Sequence, residues 1–372
     1  MIRPCTVCAT QDPQLSVRRA AIPVFQNVVY ASADAARAAP QAAFDLGTCH
    51  ACGFSYNASF DASLVTYDES YDNHVASAAF DTYYRSIATM LIDRFGIVDG
   101  TVYDIGCGKG EFLRVFCELA PGVRGIGIDP SCTPVRDGNF ELRRTVFDAS
   151  VFDGDARLVL LRHVLEHIAE PVDFLAALRA AMPAAPLFVE VPDLTWILRN
   201  NAFWDFCYEH CNYFNPSTLG GALRRAGFAL NDQQSSFGDQ YQWALATPGT
   251  ADREMSGGRA AIAETAAYAQ REAAQIATLQ DRAAVAGVAL WGMATKGVLL
   301  ASIHGDSVLG GIDMNPAKQF RFAAGTGTAI HPPEWLAELP TVVPVLAMNP
   351  NYLAEIRTAA ITIRSDIVVE LA

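Results

Sequence analysis

The 372-residue sequence lacks any apolar run long enough to cross a membrane, and its first residues, Met-Ile-Arg-Pro-Cys, lack the pattern of a secretory signal. Basic residues are also scarce, since 27 Lys and Arg face 40 Asp and Glu, which gives a formal net charge of -13. A field of that sign repels phosphate backbones. We therefore expect a cytoplasmic protein with no nucleic-acid or membrane partner, in which an anionic small molecule would need a locally basic pocket.

Nine cysteines are present, and four of them form two Cys-x-x-Cys pairs, Cys5 with Cys8 and Cys49 with Cys52. Such pairs supply four thiolates to a tetrahedral zinc ion, which would be structural because no coordination position stays open. A redox pair usually begins a helix after a strand, and neither pair has that context. The gap between the pairs is longer than in common zinc ribbons. His50 could replace one ligand, although we expect an exposed bystander.

The chain divides into four predicted segments. Residues 1–70 are turn-rich and carry the four cysteines, and residues 71–250 alternate strand-like with helical stretches, which predicts an α/β fold. Residues 251–286 are rich in Ala, Glu, Gln and Arg without proline and predict a linker helix, and residues 287–372 predict a second, smaller α/β domain. The predicted strands cover residues 101–105, 123–128, 157–161, 186–191, 287–291, 308–312, 342–347 and 366–371.

The most informative segment is the β-rich run 101–105, which leads into Gly106-Cys-Gly108-Lys-Gly110 and a helical stretch. Glycines at alternate positions let the backbone turn sharply and approach a ligand closely. The N-terminus of the following helix offers free N–H groups to a carboxylate. Asp104 could orient the loop or hold a methionine amino group through water. A dinucleotide loop is the alternative, but there the third glycine comes one residue later.

Further acidic and aromatic residues follow this loop in order. Asp129, at the end of the next predicted strand, suits the two hydroxyls of an adenosine ribose. Phe147 and Asp148 lie where an adenine ring could be covered and its amino group bound. His163 and His167 would share a face if their segment is helical; we place His163 in the cofactor pocket, and a metal role would need further ligands nearby. This order resembles class I methyltransferases, which use S-adenosylmethionine; a Rossmann-like domain without a cofactor is the alternative.

Residues 201–216 concentrate aromatic side chains, an acid and a histidine in a stretch with poor helical periodicity. His210 could take a proton from the methyl acceptor, with Glu209 orienting it or raising its basicity. The alternative is that His210 and Tyr208 are packing residues on a loop. We expect Cys207, like Cys211, to be a buried small side chain rather than a nucleophile.

Together these residues resemble the three-domain C-methyltransferases of bacterial deoxysugar biosynthesis. That family has an N-terminal zinc-binding domain, a central methyltransferase domain and a C-terminal Rossmann-like domain. Its active-site motif, Tyr-His-Glu-His-x-x-Tyr-Phe, stands here as Cys-Tyr-Glu-His-Cys-Asn-Tyr-Phe over residues 207–214. The resemblance implies that His210 is the general base with Glu209 as its partner, and that Tyr213 and Tyr71 belong to the catalytic site.

The C-terminal part of the resemblance rests on Trp-Gly-Met-Ala-Thr-Lys-Gly at 291–297 and on Asp-Met-Asn-Pro-Ala-Lys at 313–318. It makes Lys296 and Lys318 candidates for a phosphate of a nucleotide-linked keto sugar; the alternative is two solvated surface lysines. Departures from the family fall on the acceptor side, where His163 replaces an asparagine and Phe-Gly-Asp-Gln replaces His-Gly-Gly-Ser. Two alternatives to C-methylation therefore remain: an O- or N-methyltransferase, and a non-catalytic zinc-bearing scaffold.

Overall fold

The computed structural model describes residues 2–68, 71, 77–252, 254–340 and 343–372. Its strands, numbered along the chain, are β1 (Gln14–Pro23), β2 (Val29–Tyr30), β3 (Gln41–Thr48), β4 (Ser55–Asn57), β5 (Gly100–Ile105), β6 (Val123–Ile128), β7 (Val135–Asp137), β8 (Phe140–Arg143), β9 (Leu158–Arg162), β10 (Leu187–Pro192), β11 (Asn212–Tyr213), β12 (Phe228–Ser236), β13 (Tyr241–Pro248), β14 (Val288–Trp291), β15 (Val308–Ile312), β16 (Arg321–Ala323), β17 (Ala329–His331), β18 (Val345–Ala347) and β19 (Val369–Leu371). Its helices are α1 (Ala33–Arg37), α2 (Ala78–Phe95), α3 (Glu111–Leu119), α4 (Pro171–Ala181), α5 (Leu194–Arg199), α6 (Pro216–Arg225), α7 (Gly258–Ala286), α8 (Thr295–His304) and α9 (Leu353–Ile363).

Local sequence explains several helix boundaries. α2 begins after Ser77, whose hydroxyl accepts the Phe80 N–H at 3.4 Å, and it ends at Gly96 with a left-handed φ of +56°. α6 begins with a reciprocal capping box between Asn215 and Thr218. In the part of the chain that is described, no helix could cross a membrane.

The central sheet has eight strands in the order β12-β13-β10-β9-β5-β6-β8-β7. The five strands from β10 to β8 are parallel, and β13, β12 and β7 are antiparallel to their neighbours. All five residues of β9 are buried, as in parallel strands covered on both faces. The chain moves from β5 to β6 on one side and later returns to β9 on the other. This switch point lies at the carboxyl ends of β5 and β9, where α/β folds bind ligands.

The C-terminal sheet has seven strands in the order β19-β18-β14-β15-β17-β16-β2. Its first five strands are parallel, and β14 is flanked by β15 and β18. It therefore has a switch point of its own, at the carboxyl ends of β14 and β18.

Two short strands join sheets outside their predicted segment. β2, from the cysteine-bearing segment, pairs with β16 in the C-terminal sheet, and β11, from the central segment, pairs with β4 in the N-terminal sheet β1-β3-β4-β11. A two-residue strand has no periodicity, so this exchange could not be predicted from the sequence. The segment boundaries of Sequence analysis stay predictions.

Most predicted strands coincide with observed ones. β6 and β15 match predicted runs at both ends, and the linker helix is observed as α7, beginning at residue 258 rather than 251. β18 and β19 are three-residue strands, shorter than predicted, and the predicted run 342–347 begins outside the described residues.

Candidate active site

A cavity of about 420 Å³ lies between the carboxyl ends of the two parallel sheets. Residues that follow β9 and β10 line one side, and residues that follow β14, β15 and β18 line the other. Both switch points therefore open into the same space, a common position for a ligand site. The lining includes Asn27, Tyr71, Glu111, His163, Glu166, His167, Asp205, His210, Tyr241, Thr295, Lys296, Asp313, Lys318 and Asn349.

The glycine loop after β5 is tied to the neighbouring strand β6. Gly106 has a φ of +75°, and its N–H donates to the Ile128 carbonyl at 2.7 Å. A Cβ at Gly106 would lie 2.3 Å from a methyl group of Val164. Gly108 and Gly110 also have positive φ values. Glycine is therefore required for both the backbone conformation and the close packing of this loop.

Asp104, the last acid of β5, carries a buried carboxylate oxygen without a hydrogen-bond partner among the described residues. Burial raises its pKa to about 7, although Arg162 acts in the opposite direction. A buried, unpaired carboxylate is costly unless a partner arrives. The role of Asp104 toward the amino group of S-adenosylmethionine stays a prediction.

Asp129 stands at the end of β6, as predicted. Its carboxylate accepts the Gly108 N–H at 2.9 Å and the Ser131 hydroxyl at 2.6 Å, so it is held at the glycine loop. Phe147 packs against Phe174 at 5.1 Å, and exposed Asp148 caps a short turn. Like Asp104 and the three glycines of the loop, Asp129, Phe147 and Asp148 are outside the set of residues that line the cavity. Their cofactor roles stay predictions.

The segment that carries His163 and His167 is not a helix, so the two side chains do not share a helix face. His163 adopts a left-handed φ of +55°, and only residues 165–167 form a short 3-10 turn. Its ring instead lies between two acids, 2.8 Å from Glu190 and 3.6 Å from Glu166. Despite burial, these acids raise the pKa of His163 to about 9, so it carries a proton at neutral pH.

A buried ion pair that the sequence analysis missed supports His163. Arg162 donates to Glu190 at 2.9 Å, and the Tyr83 hydroxyl donates to the same carboxylate at 2.6 Å. The charges of Arg162 and His163 hold the pKa of Glu190 at about 2, against the effect of burial. The guanidinium also lies 4.0 Å from the centre of the Phe112 ring. The sequence signal for this ion pair is that Arg162 and Glu190 are each the single charged residue of an otherwise apolar strand, β9 and β10.

His210 lines the cavity, as predicted. Its ring meets the His167 ring edge-on at 4.8 Å, and no hydrogen bond of its side chain is found in the described part of the chain. Burial, helped by nearby His167, His163 and Lys296, lowers the pKa of His210 well below its usual value. The imidazole is therefore neutral at neutral pH, with a ring nitrogen lone pair available.

Glu209 does not orient His210, which corrects the expected pairing. Its carboxyl accepts the Gln26 N–H at 3.2 Å and a hydrogen bond from Tyr71. Burial raises the pKa of Glu209 to about 8. Because this carboxyl is held toward Gln26 and Tyr71, it does not increase the basicity of His210, whose pKa falls.

The two predicted catalytic tyrosines differ in position. Tyr213 is buried, its hydroxyl donates to the Cys207 carbonyl at 3.0 Å, and it is not among the cavity-lining residues that the structure describes. It holds the 207–213 loop closed, which corrects its assignment to the catalytic site. Tyr71 does line the cavity, with its hydroxyl 3.3 Å from Asn27 Nδ2. Cys207 and Cys211 are buried, as expected.

Lys318 and Lys296 are not solvated surface residues. Lys318 is 3% exposed, and its Nζ lies 3.5 Å from Asn27 Oδ1. Lys296 forms an ion pair with Asp205. Asn27, which the sequence analysis missed, also lies 3.3 Å from Thr295 Oγ1. No local pattern marks Asn27, because its partners come from distant segments.

The structure brings the four predicted zinc ligands together. The Sγ atoms of Cys5 and Cys52 are 3.6 Å apart, and those of Cys8 and Cys49 are 3.5 Å apart. A tetrahedral ion with Zn–S bonds of about 2.3 Å requires Sγ separations of roughly 3.8 Å. The four cysteines therefore fit a structural zinc ion. His50 is exposed, as expected for a bystander.

Comparisons with known proteins agree with the central fold. Residues 80–233 match the family model described as a methyltransferase domain. The chain is 30% identical over 194 residues to the C-methyltransferase NovU of Streptomyces niveus, a match that covers 48% of this chain and 44% of NovU. It thus spans less than half the length of that relative. These matches support a methyltransferase domain over residues 80–233.

Solved methyltransferases resemble the chain more distantly. An O-methyltransferase family protein from Burkholderia thailandensis is 19% identical, with a TM-score of 0.35 over 46% of this chain and 59% of its own. The N,N-8-amino-8-demethyl-D-riboflavin dimethyltransferase RosA from Streptomyces davawensis is 21% identical, with a TM-score of 0.37 over 46% of this chain and 55% of its own.

Proposed function

We propose that this chain methylates a carbon next to the ketone of a small, sugar-derived acceptor, with S-adenosylmethionine as donor and His210 as general base. The observation that carries the proposal is the position of His210. Its unpaired imidazole lines a cavity that both sheets reach with their carboxyl ends.

In this proposal, two acids of the chain bind the donor, and His210 transfers the proton. S-adenosylmethionine supplies an electrophilic methyl group on a sulfonium centre. Asp104 would hold the donor's ammonium group, and Asp129 would hold its ribose hydroxyls. His210 accepts the proton from the acceptor carbon. The electron pair left on that carbon would form the new bond to the methyl group while the methyl–sulfur bond breaks and S-adenosylhomocysteine leaves. His210 then returns its proton to solvent.

The C-terminal side of the cavity supplies the positive charge that an anionic acceptor needs. Lys296 lies in the first turn of α8, which begins at Thr295, and is paired with Asp205, whereas Lys318 lines the same cavity. The Lys318 charge together with a helix N-terminus suits phosphate groups. This supports a nucleotide-linked keto sugar as the acceptor, in an otherwise acidic protein.

The experiment compares His210→Asn with wild type on a panel of nucleotide-linked keto sugars, and it measures methyl transfer and S-adenosylmethionine affinity separately. We expect turnover to fall by roughly 10²–10⁴-fold, the usual contribution of a general base, with cofactor affinity within a few-fold of wild type. His50→Asn is the matched control, since that exposed histidine lies outside the cavity lining. Near-normal turnover of His210→Asn would remove the base assignment.

Two other outcomes separate the alternatives. Methylation without loss of deuterium from the acceptor carbon would indicate transfer to oxygen or nitrogen. Cofactor binding without transfer to any acceptor would indicate a non-catalytic scaffold.

A further inference from the structure

We propose that Glu166, His167 and His210 form a second metal site, distinct from the four cysteines, that takes a borderline divalent ion such as Zn²⁺ or Co²⁺ from the cavity. One ligand atom from each of these residues lies within 4.8 Å of the others. Metal–ligand bonds of about 2.1 Å place neighbouring ligand atoms roughly 3.0–3.4 Å apart. The three side chains would close by at most about 2 Å around the ion.

Each ligand is available in the structure. Glu166 is 2% exposed; its Oε1 faces His163, and its Oε2 has no hydrogen-bond partner within the described residues. A buried, unpaired carboxylate oxygen needs a cation or a donor to offset its desolvation. The His210 ring also has no hydrogen bond in that same part of the chain.

His167 has the support that metal-binding histidines usually have. Its Nδ1 lies 3.1 Å from the Glu209 carbonyl and 2.8 Å from the Tyr67 hydroxyl. A proton on Nδ1 that is donated to the carbonyl leaves Nε2 with its lone pair and fixes the ring. The backbone carbonyl of Glu209 thus orients the His167 ring toward the proposed ion. His210, which follows Glu209 in the sequence, would bind the same ion.

The ligand types select the ion. Two imidazoles and one carboxylate favour zinc, cobalt, nickel or ferrous iron over magnesium and calcium, which prefer oxygen. Three protein ligands leave coordination positions of the ion open toward the cavity, so the ion would exchange with solvent. The four cysteine thiolates, by contrast, would fill every coordination position of the structural zinc.

Occupancy of this site has a consequence that rests on the proposed function. A lone pair of His210 that binds the ion cannot accept a proton from the acceptor. Divalent ions should therefore inhibit methyl transfer reversibly, without loss of the structural zinc.

The test uses full-length protein whose cysteine site is filled with zinc and which is then titrated with Co²⁺. We expect one further Co²⁺ per chain, with d–d absorption bands but no thiolate charge-transfer band. Glu166→Gln and His167→Gln should each weaken this binding at least tenfold, while Glu118→Gln, an exposed control, should not. Zinc content and S-adenosylmethionine binding report whether each variant is folded.

Two results would overturn the site: no Co²⁺ beyond the zinc-filled cysteines, or unchanged Co²⁺ binding in folded Glu166→Gln and His167→Gln. Co²⁺ that binds at these residues but leaves methyl transfer unchanged would support the site and contradict His210 as the base. Failure of the metal site and failure of the proposed function are therefore distinguishable.

Discussion

Lys318 Nζ lies 3.5 Å from Asn27 Oδ1, although 291 residues separate the two along the chain. The same asparagine reaches Tyr71 and Thr295 through its Nδ2. One amide therefore joins the N-terminal segment, the C-terminal domain and a tyrosine of the cavity. Lys318 is buried and lines the cavity, so its charge is shielded from bulk solvent.

Removal of the Lys318 charge should weaken acceptor binding. If the acceptor carries phosphates, Lys318→Met loses a charge-assisted hydrogen bond, and we expect KM for a nucleotide-linked keto sugar to rise roughly 10–100-fold with a smaller change in kcat. Lys318→Arg keeps the charge and should lose less. Steady-state kinetics of both variants check this; equal kinetics for Met, Arg and wild type would rule out a role in binding.

Cofactor affinity should increase with pH through the titration of Asp104. The pKa of this carboxyl is raised to about 7, and only the ionised form pairs with an ammonium group. The proton must leave before binding, so affinity should be roughly tenfold higher at pH 8 than at pH 6. Isothermal titration with S-adenosylmethionine measures this, and Asp104→Asn should bind more weakly with a flat profile. A wild-type affinity that is constant from pH 6 to 8 would contradict the assignment.

Loss of Glu190 should destabilise the protein strongly. Its carboxylate is fully buried and paired with Arg162 and His163, so Glu190→Gln removes the counter-charge of buried Arg162 and one of the two acids beside His163. We expect a loss of about 3–5 kcal/mol in the free energy of unfolding, measured by urea denaturation. Glu118→Gln removes an exposed partner of Arg85 and should cost at most about 1 kcal/mol. Similar losses in the two variants would contradict this account.

The four-cysteine cluster should hold one zinc ion per chain and stabilise the N-terminal region. Cys52→Ser removes one of four thiolates, so zinc content should fall sharply and the thermal midpoint should drop. Cys117→Ser, at a buried cysteine of α3, is the matched control and should keep its zinc. Metal analysis with thermal denaturation checks both. Protein purified without metal, and with an unchanged midpoint in Cys52→Ser, would exclude a structural zinc.

Local sequence patterns predicted the parts of the molecule that depend on local chemistry. The strand β6 and the glycine loop after β5 could be predicted from the sequence, because strand burial and tight turns require particular residue types at fixed spacing. The four-cysteine cluster could be predicted for the same reason, since each Cys-x-x-Cys pair supplies two ligands by itself.

Features that depend on contacts between residues far apart in the sequence could not be predicted. Glu209 is adjacent to His210, yet its carboxyl is held by Gln26 and Tyr71, which no spacing reveals. Tyr213 matched a family motif, but the closed 207–213 loop uses its hydroxyl internally. The pairing of β2 with β16 likewise depends on tertiary packing, because a two-residue strand has no pattern of its own.

The most direct test of the account is hydrogen exchange at the acceptor carbon, followed by NMR in D₂O with a nucleotide-linked keto sugar and S-adenosylhomocysteine in place of the donor. We expect wild-type protein to exchange the hydrogen next to the ketone and His210→Asn to exchange it at least 100-fold more slowly, in the range expected for a general base. Exchange at equal rates in both proteins would contradict His210 as the base that acts on the acceptor carbon.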